Sequence, residues 1–412
     1  MNHRIPRLRS IHTRRNSSHN SGGEKQAFSL VLGGPVYQLF RRVRLSDDAL
    51  QLVRQRILVL SLFAWLPLLL LSAMEGNLFG KAGIVPFFMD MEVHLRFLVA
   101  VPLLVAAELV IHKRLRGITE SFRERNLVPE TSTGEFDAAI NAAMRLRNSI
   151  SAEMALVAVV YGVGVLIVWR HYTALQASTW YATTTGNGSS LSLAGIWYGY
   201  VSLPLFQFLL IRWYFRIFIW MRFLWQVSRI KLSLIPTHPD RVGGLGFLAN
   251  TVYAFALLLA AHGVMAATNL ANRIFFLGAA LPDFKAPILG MVLFLLAVVF
   301  GPLLVFAPQL AQAKRKGLND YGTLAERYVR EFDQKWLCGG AAPAEPLLGS
   351  ADIQSLADLG NSFEIVRGMR LAPITRDAVI QIAAAVLVPI APLALTMMPL
   401  DQLLKYVFGL LF

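Results

Sequence analysis

The residues with the most chemical potential lie in one string, Thr237-His238-Pro239-Asp240-Arg241-Val242-Gly243-Gly244-Leu245-Gly246-Phe247. Its glycines permit φ > 0 and leave backbone N–H groups uncovered. Arg241 adds a guanidinium, and an apolar helix is expected to begin directly afterwards. Bare amides at a helix N-terminus beside a cation are the ingredients of an anion cradle. The candidate site is therefore His238, Asp240, Arg241, Gly243, Gly244 and Gly246, with a phospholipid headgroup phosphate as first occupant and a phosphorylated solute as second. The competing reading is a tight turn feeding the chain back into an apolar segment, with His238 and Asp240 bonding locally. No strand precedes the string and no Gly-Lys-Ser/Thr closes it, so it is neither a Walker-type nor a dinucleotide phosphate loop.

Ionisable residues inside apolar runs form the second group. Glu108 lies about one turn from the polar end of its run, and Arg212 and Arg216 stand at i,i+4 near the same end of theirs. At ~1.5 Å per residue they share a depth, so Glu108 is expected to pair with Arg212 or Arg216, with Glu153 nearby. His262 lies ~22 Å along its own helix from Phe247, too far for Glu108. It reads as a neutral histidine bonded to a neighbouring helix, with a proton relay as the alternative. Asp90, Glu92 and His94 precede another run, with His171 and Asp283 in other loops, but no metal-ligand spacing such as HExxH joins them. Cys338 is the one cysteine, which excludes an intramolecular disulfide and a cysteine-based metal knuckle. No Ser/His/Asp arrangement is legible, so the pattern contains no catalytic signature and calls for no metal or cofactor.

The elements that must carry these residues are membrane helices. Apolar residues make up 55% of the 412 and charged residues 16%, far from a soluble composition. Residues 286–313 contain no charge, and 242–272 contain none besides the histidine. Runs beyond ~18 residues indicate membrane crossing. Seven spans are expected at about 57–74, 93–111, 153–170, 196–215, 247–268, 286–308 and 378–399. The fold class is thus all-α, a polytopic transmembrane bundle over 46–412. Pro67, Pro102, Pro204, Pro302, Pro308, Pro389 and Pro392 mark kinks. The alanine-rich fifth span is read as a central packing helix. Of the 39 Lys and Arg, 33 fall in alternate segments (1–56, 112–152, 212–246 and 309–376). The positive-inside rule then puts those segments and the N-terminus in the cytoplasm and the C-terminus outside. The net charge of +14 follows from this distribution and needs no nucleic acid. The aromatic-basic run 212–229 likewise reads as an interfacial helix with snorkelling arginines.

The cytoplasmic loops 112–152 and 309–376 carry amphipathic helices. Ser132 and Glu135 read as a capping box before a helix over 136–152 that runs into the third span. Leu318, Tyr321, Leu324, Ala325, Tyr328, Phe332 and Trp336 form one stripe, opposite i,i+4 pairs Glu326/Arg330, Arg327/Glu331 and Glu331/Lys335. A second helix is expected at about 351–370, capped by Ser350, with Ile353, Leu356, Phe363, Val366 and Met369 inward. These helices are structural collars or a surface for partners. Residues 1–45 read as a disordered basic cytoplasmic tail with an interfacial segment; an organellar presequence shares that composition.

The segment THPDRVGGLGFL, with the later DIQSLADLGNSFEIVRGMR, resembles an uncharacterised group of proteobacterial multi-pass membrane proteins. That resemblance implies a bacterial inner-membrane home and carries no activity with it. Three functions compete. Kinked spans with buried charges suggest transport or a channel. Ordered loop helices suggest a membrane-anchored sensor or assembly scaffold. The glycine-rich string suggests a lipid- or phosphate-handling enzyme. The expected partners are membrane lipids, anionic phospholipid first, and a second copy of the chain.

Overall fold

The structure, a computed structural model, describes residues 28–42, 52–79, 85–169, 179–185, 188–340, 346 and 349–397. It is nearly all helical. The helices are α1 (Pro35–Arg42), α2 (Val53–Met74), α3 (Met91–Glu124), α4 (Thr133–Arg147), α5 (Ile150–Leu166), α6 (Leu193–Val227), α7 (Leu245–Phe275), α8 (Leu281–Leu337), α9 (Ala351–Arg367) and α10 (Arg376–Leu387). An antiparallel hairpin of β1 (Ala182–Thr185) and β2 (Gly188–Leu191) precedes α6, with Ala182 opposite Leu191, a small exception to the all-α expectation.

Five helices, α2, α3, α6, α7 and α8, are each long and apolar enough to cross a membrane. Two bent pairs bring the number to seven if each is one span: α4 with α5, bent by 48°, and α10 with the 3₁₀ turn Ala391–Met397, bent by 60°. These apolar helices fit a multi-pass membrane protein. The first bend corrects the expectation that 136–152 runs straight on. Ser149 accepts a hydrogen bond from Ala152 N at 3.2 Å and so starts a new helix after α4 has ended at Arg147. The capping box at Ser132 is also absent, because that side chain makes no cap bond and a 3₁₀ turn already leads into α4. The second bend coincides with Pro389 and Pro392, which withdraw two N–H donors.

Prolines act differently in α3 and α6. π-helical turns at Arg96–Ala100 and Tyr198–Ser202 immediately precede Pro102 and Pro204. A proline cannot donate to the carbonyl four residues back, and its ring collides with it. Those carbonyls, of Leu98 and Tyr200, sit inside the widened turns, so both helices continue without breaking.

Packing runs α2 on α3, α3 on α7, and α7 on α10, with α4 and α5 against α6. Of the five long spans α7 is the most buried. Its Gly263 faces α10 so closely that a Cβ would stand 2.3 Å from Val386 O. α8 is 57 residues long, roughly 85 Å, against ~30 Å of hydrocarbon. Its polar half pairs with α9. Asp352 joins them: Oδ2 accepts from Lys335 Nζ at 2.9 Å and Trp336 Nε1 at 3.0 Å, and its carbonyl from Tyr328 Oη at 3.0 Å. Lys335 is therefore turned to Asp352 rather than to Glu331, whose partner is Arg327 at 2.9 Å. Val366 and Met369 are buried as expected, whereas Ile353 and Leu324 are exposed.

The tail also needs correction. Phe28, Leu30 and Val31 are buried in the main core, where Phe28 stacks near Phe223 at 4.9 Å, so 28–42 is part of the fold. Residues 1–27 and the 400–412 segment lie outside the described residues.

The α7–α10 contact predicts that Gly263→Leu lowers the detergent melting temperature by more than the ~1–3 kcal/mol of ordinary overpacking, because the obstacle is backbone. Gly290→Leu, where nothing lies within 4 Å, should melt like the parent.

Candidate functional site

Two polar constructions lie beside the apolar bundle. The first is a buried ion cluster. Glu108 on α3 receives Arg56 Nη2 of α2 at 2.6 Å on Oε2 and Arg216 Nη1 of α6 at 2.8 Å on Oε1. Arg212, one turn before Arg216, bridges two acids, with Nη1 3.9 Å from Glu108 and Nη2 3.3 Å from Glu153 in the first turn of α5. All five residues are buried. The i,i+4 spacing puts both arginines on one face of α6, and Arg216 also lies over Trp213 at 4.6 Å.

Residues 28–34 and the first turn of α1 cover this cluster. Glu153 Oε2 accepts from Val36 N at 2.9 Å. Gly34, at φ +89°, approaches so closely that a Cβ would lie 3.2 Å from Glu153 Oε1. Arg147 Nη1 donates to Ser29 O at 2.6 Å, and Ser29 Oγ lies 2.9 Å from His112 Nδ1. Sequence reasoning found Glu108, Arg212, Arg216 and Glu153 but missed Arg56 and the 28–36 cover. The available signal for the cover was the short apolar run Phe28-Ser29-Leu30-Val31-Leu32 within a polar stretch.

The second construction is the glycine-rich loop. Arg241, Gly243 and Gly244 have φ of 55°, 66° and 96°, a left-handed run that turns successive amides inward. The anion they meet is the chain's own Asp240. Its Oδ1 accepts from Val242 N at 2.8 Å and Gly244 N at 3.2 Å, and Oδ2 from Gly246 N at 2.8 Å. A Cβ on Gly246 would stand 2.9 Å from Asp240 Cβ. The cradle expected for a phosphate is thus internally filled, and an external anion would have to displace a carboxylate. His238 Nδ1 accepts from Asp240 N at 3.3 Å and lies 2.9 Å from Asp240 Oδ1. Burial pushes the Asp240 carboxyl up, but the amides of Val242, Gly246 and Gly244, with His238, more than offset it and hold the group below the usual carboxylate range.

Arg241 turns away from this cradle, with its guanidinium beside Gly368. Its carbonyl accepts from Arg370 N at 2.7 Å, while Arg370 Nη2 donates to Asp240 O at 3.1 Å and Lys314 Nζ of α8 to Met369 O at 2.8 Å. The two strings that stood out in the sequence, 237–247 and 352–370, are therefore joined.

The remaining candidates have local duties. Asp90 caps the start of α3 through Glu92 N and Val93 N and accepts from Trp180 Nε1 at 2.9 Å. His94 accepts from Trp65 Nε1 at 2.9 Å on Nδ1, with Nε2 3.0 Å from Phe87 O, so neither nitrogen is open to a metal. Glu92 pairs with Arg96, which also bonds Tyr198. Asp283 accepts from Ala280 N at 3.0 Å. His262 bridges Leu258 O and Tyr214 Oη of α6, each at 2.8 Å. His171 lies outside the described residues. Among the described residues no group of three or more His, Cys, Asp or Glu could hold a metal.

The arrangement defines a helical membrane protein with one internal ion cluster and a cross-braced loop layer. In comparison with known proteins the chain matches no family model, no curated protein and no solved structure.

Two predictions follow from these geometries. Glu108→Gln should destabilise the protein by about 3–5 kcal/mol, since it strands buried guanidinium groups. In a double-mutant cycle with Arg216→Met, chemical denaturation should show much less than the sum of the single losses; additive losses would argue against direct contact. Asp240→Asn should lower the melting temperature at pH 7. Because the folded carboxyl is depressed, its contribution is complete above the unfolded value of about 3.9 and disappears as pH falls through the folded one. The gap between variant and parent should therefore narrow steadily in acid.

Proposed function

We propose that this chain is a membrane-anchored assembly scaffold of a bacterial inner membrane, working through a cytoplasmic layer built from the 231–246 loop, the polar half of α8 and α9. The observation that carries this reading is the bracing of that layer: Arg370 ties α9's end to Asp240 and Arg241, and Lys314 ties α8 to Met369. Plain connecting loops need no such bonds. The buried charges that suggested transport bind one another instead, and the loop that suggested phosphate chemistry is occupied by Asp240.

The N-terminus and the layer lie inside by the distribution of Lys and Arg. Where α7 enters the bilayer, Arg241 and Arg370 stand at headgroup depth and favour anionic phospholipid around the protein. On the far half of α8, Leu324 is 50% exposed, and on α9 Ile353 is 44% exposed, leaving an apolar surface beyond the span for a protein partner.

Sidedness is tested in a Cys338→Ser background. An impermeant maleimide on intact cells should label Ser190→Cys and spare Ser355→Cys; the opposite pattern reverses the topology. A photo-crosslinking residue in place of Leu324 should give discrete protein adducts in cells. Lipid adducts alone would make the α8–α9 pair a membrane collar and end the scaffold reading.

A further inference from the structure

Between α6 and the glycine-rich loop, residues 231–236 alternate between exposed and half-buried without helix or turn through 235, the pattern of an extended strand. Its odd residues bond inward: Ser233 N donates to Leu127 O at 2.9 Å and Ile235 N to Gly243 O at 3.2 Å. In extended backbone the peptide groups of alternate residues point to opposite sides. The even-numbered groups therefore form a row facing away from Leu127 and Gly243, and α8 is fastened just ahead of that row by Gln309, whose Nε2 donates to Ser228 O at 2.8 Å and Ile230 O at 2.6 Å. The backbone groups of Leu232 and Leu234 continue that row and make no hydrogen bond among the described residues.

α8 meets the segment again further along. A Cβ on Gly317 would stand 2.6 Å from Pro236 Cβ, and Tyr321 Oη lies 3.4 Å from Thr237 Oγ1. Between the Gln309 and Gly317 attachments the helix and the strand part around a cleft of about 570 Å³. Leu232 and Leu234 line one wall and Gln312 and Lys316 the other; Lys231 and Asp320 also contribute.

Three properties of this cleft select its occupant. An edge offering both donors and acceptors at alternate residues matches a peptide main chain, which a simple anion does not. Attachments at both ends prevent a continuous chain from threading through, so what enters is a chain end. Two ammonium groups against one carboxylate favour a terminal carboxylate over a terminal amine. We propose that the cleft binds the C-terminal residues of a partner polypeptide as an added strand, with the terminal carboxylate at Lys231 and Lys316. This site deepens the scaffold reading above and rests on it.

The test uses the full-length protein in detergent and a tetrapeptide array with free C-termini, beside the same array amidated. The parent should retain a subset of the free acids, and amidation should weaken each by about tenfold, the loss of a charge-assisted contact. Lys316→Glu should weaken them at least as much, and Ala313→Trp, which fills the cleft, should abolish retention. Arg315→Ala, on the same helix but outside the lining, should bind as the parent does. Melting curves of all variants confirm folding. No retained peptide, equal retention of acids and amides, or indifference to Ala313→Trp would overturn the proposal. Array failure with intact Leu324 adducts would discard the cleft and leave the scaffold; retained peptides without those adducts would do the reverse.

Discussion

A carboxylate deep in a low-dielectric interior is tolerable only when cations and hydrogen bonds replace the water it has lost. Glu108 imposes that condition on this protein. Its two oxygens draw Arg56 from α2 and Arg216 from α6, and Arg212 extends the arrangement to Glu153 and α5. Three helices and the start of a fourth are thereby held in register at one depth. Apolar packing alone specifies depth poorly, since one leucine-rich helix slides past another at little cost. The charges prevent that sliding, because a shift by one turn would separate them. The same cluster accounts for the placement of α1: Glu153 has a second oxygen, and Val36 N in the first turn of that helix satisfies it.

Much of this was legible in the residues. Long apolar runs mark α2, α3, α6, α7 and α8, because the need to bury every peptide group leaves little alternative to helix. Matched depth and opposite sign single out Glu108, Arg212 and Arg216, using only the rise of a helix. Arg56 was not legible. An arginine at the polar end of a span looks the same whether it points to water or inward, and a count of loop charges treats both alike. The bend at Ser149 was hidden for a related reason, since hydropathy reports that a segment is apolar and carries no information about its axis; Pro389 and Pro392 had marked the second bend.

The loop shows a different limit. Composition marks uncovered amides around Gly243–Gly246 and leaves two readings open, an outside anion or local bonds from His238 and Asp240. Which anion fills them depends on whether Asp240 can fold back, and that follows from the left-handed conformation of Arg241, a non-glycine residue. The Asp240 bonds that fill the amides also stiffen the turn, and Arg370 then uses its outer carbonyls. The string is thus the centre of a joint between two segments of the chain, and among the described residues the backbone groups of Leu232 and Leu234 ahead of it make no hydrogen bond.

α8 has a mechanical consequence. Its membrane half and its polar half form one rod, interrupted at Gly301–Phe306 by 3₁₀ backbone that packs against α6. Such an insertion is softer in bending than the helix on either side, so it serves as a pivot about which the two arms can tilt independently. The polar arm, Ala307–Leu337, is the longer of the two at roughly 46 Å, so a few degrees of flexing at the pivot moves its tip by a few ångströms. The ties at Gln309, Lys314 and Gly317 sit close to the pivot, where the displacement is least, and the tip near Leu337 sits where it is greatest. The bonds thus fix the base of the polar arm, and the α8–α9 tip is where flexing at the pivot becomes motion.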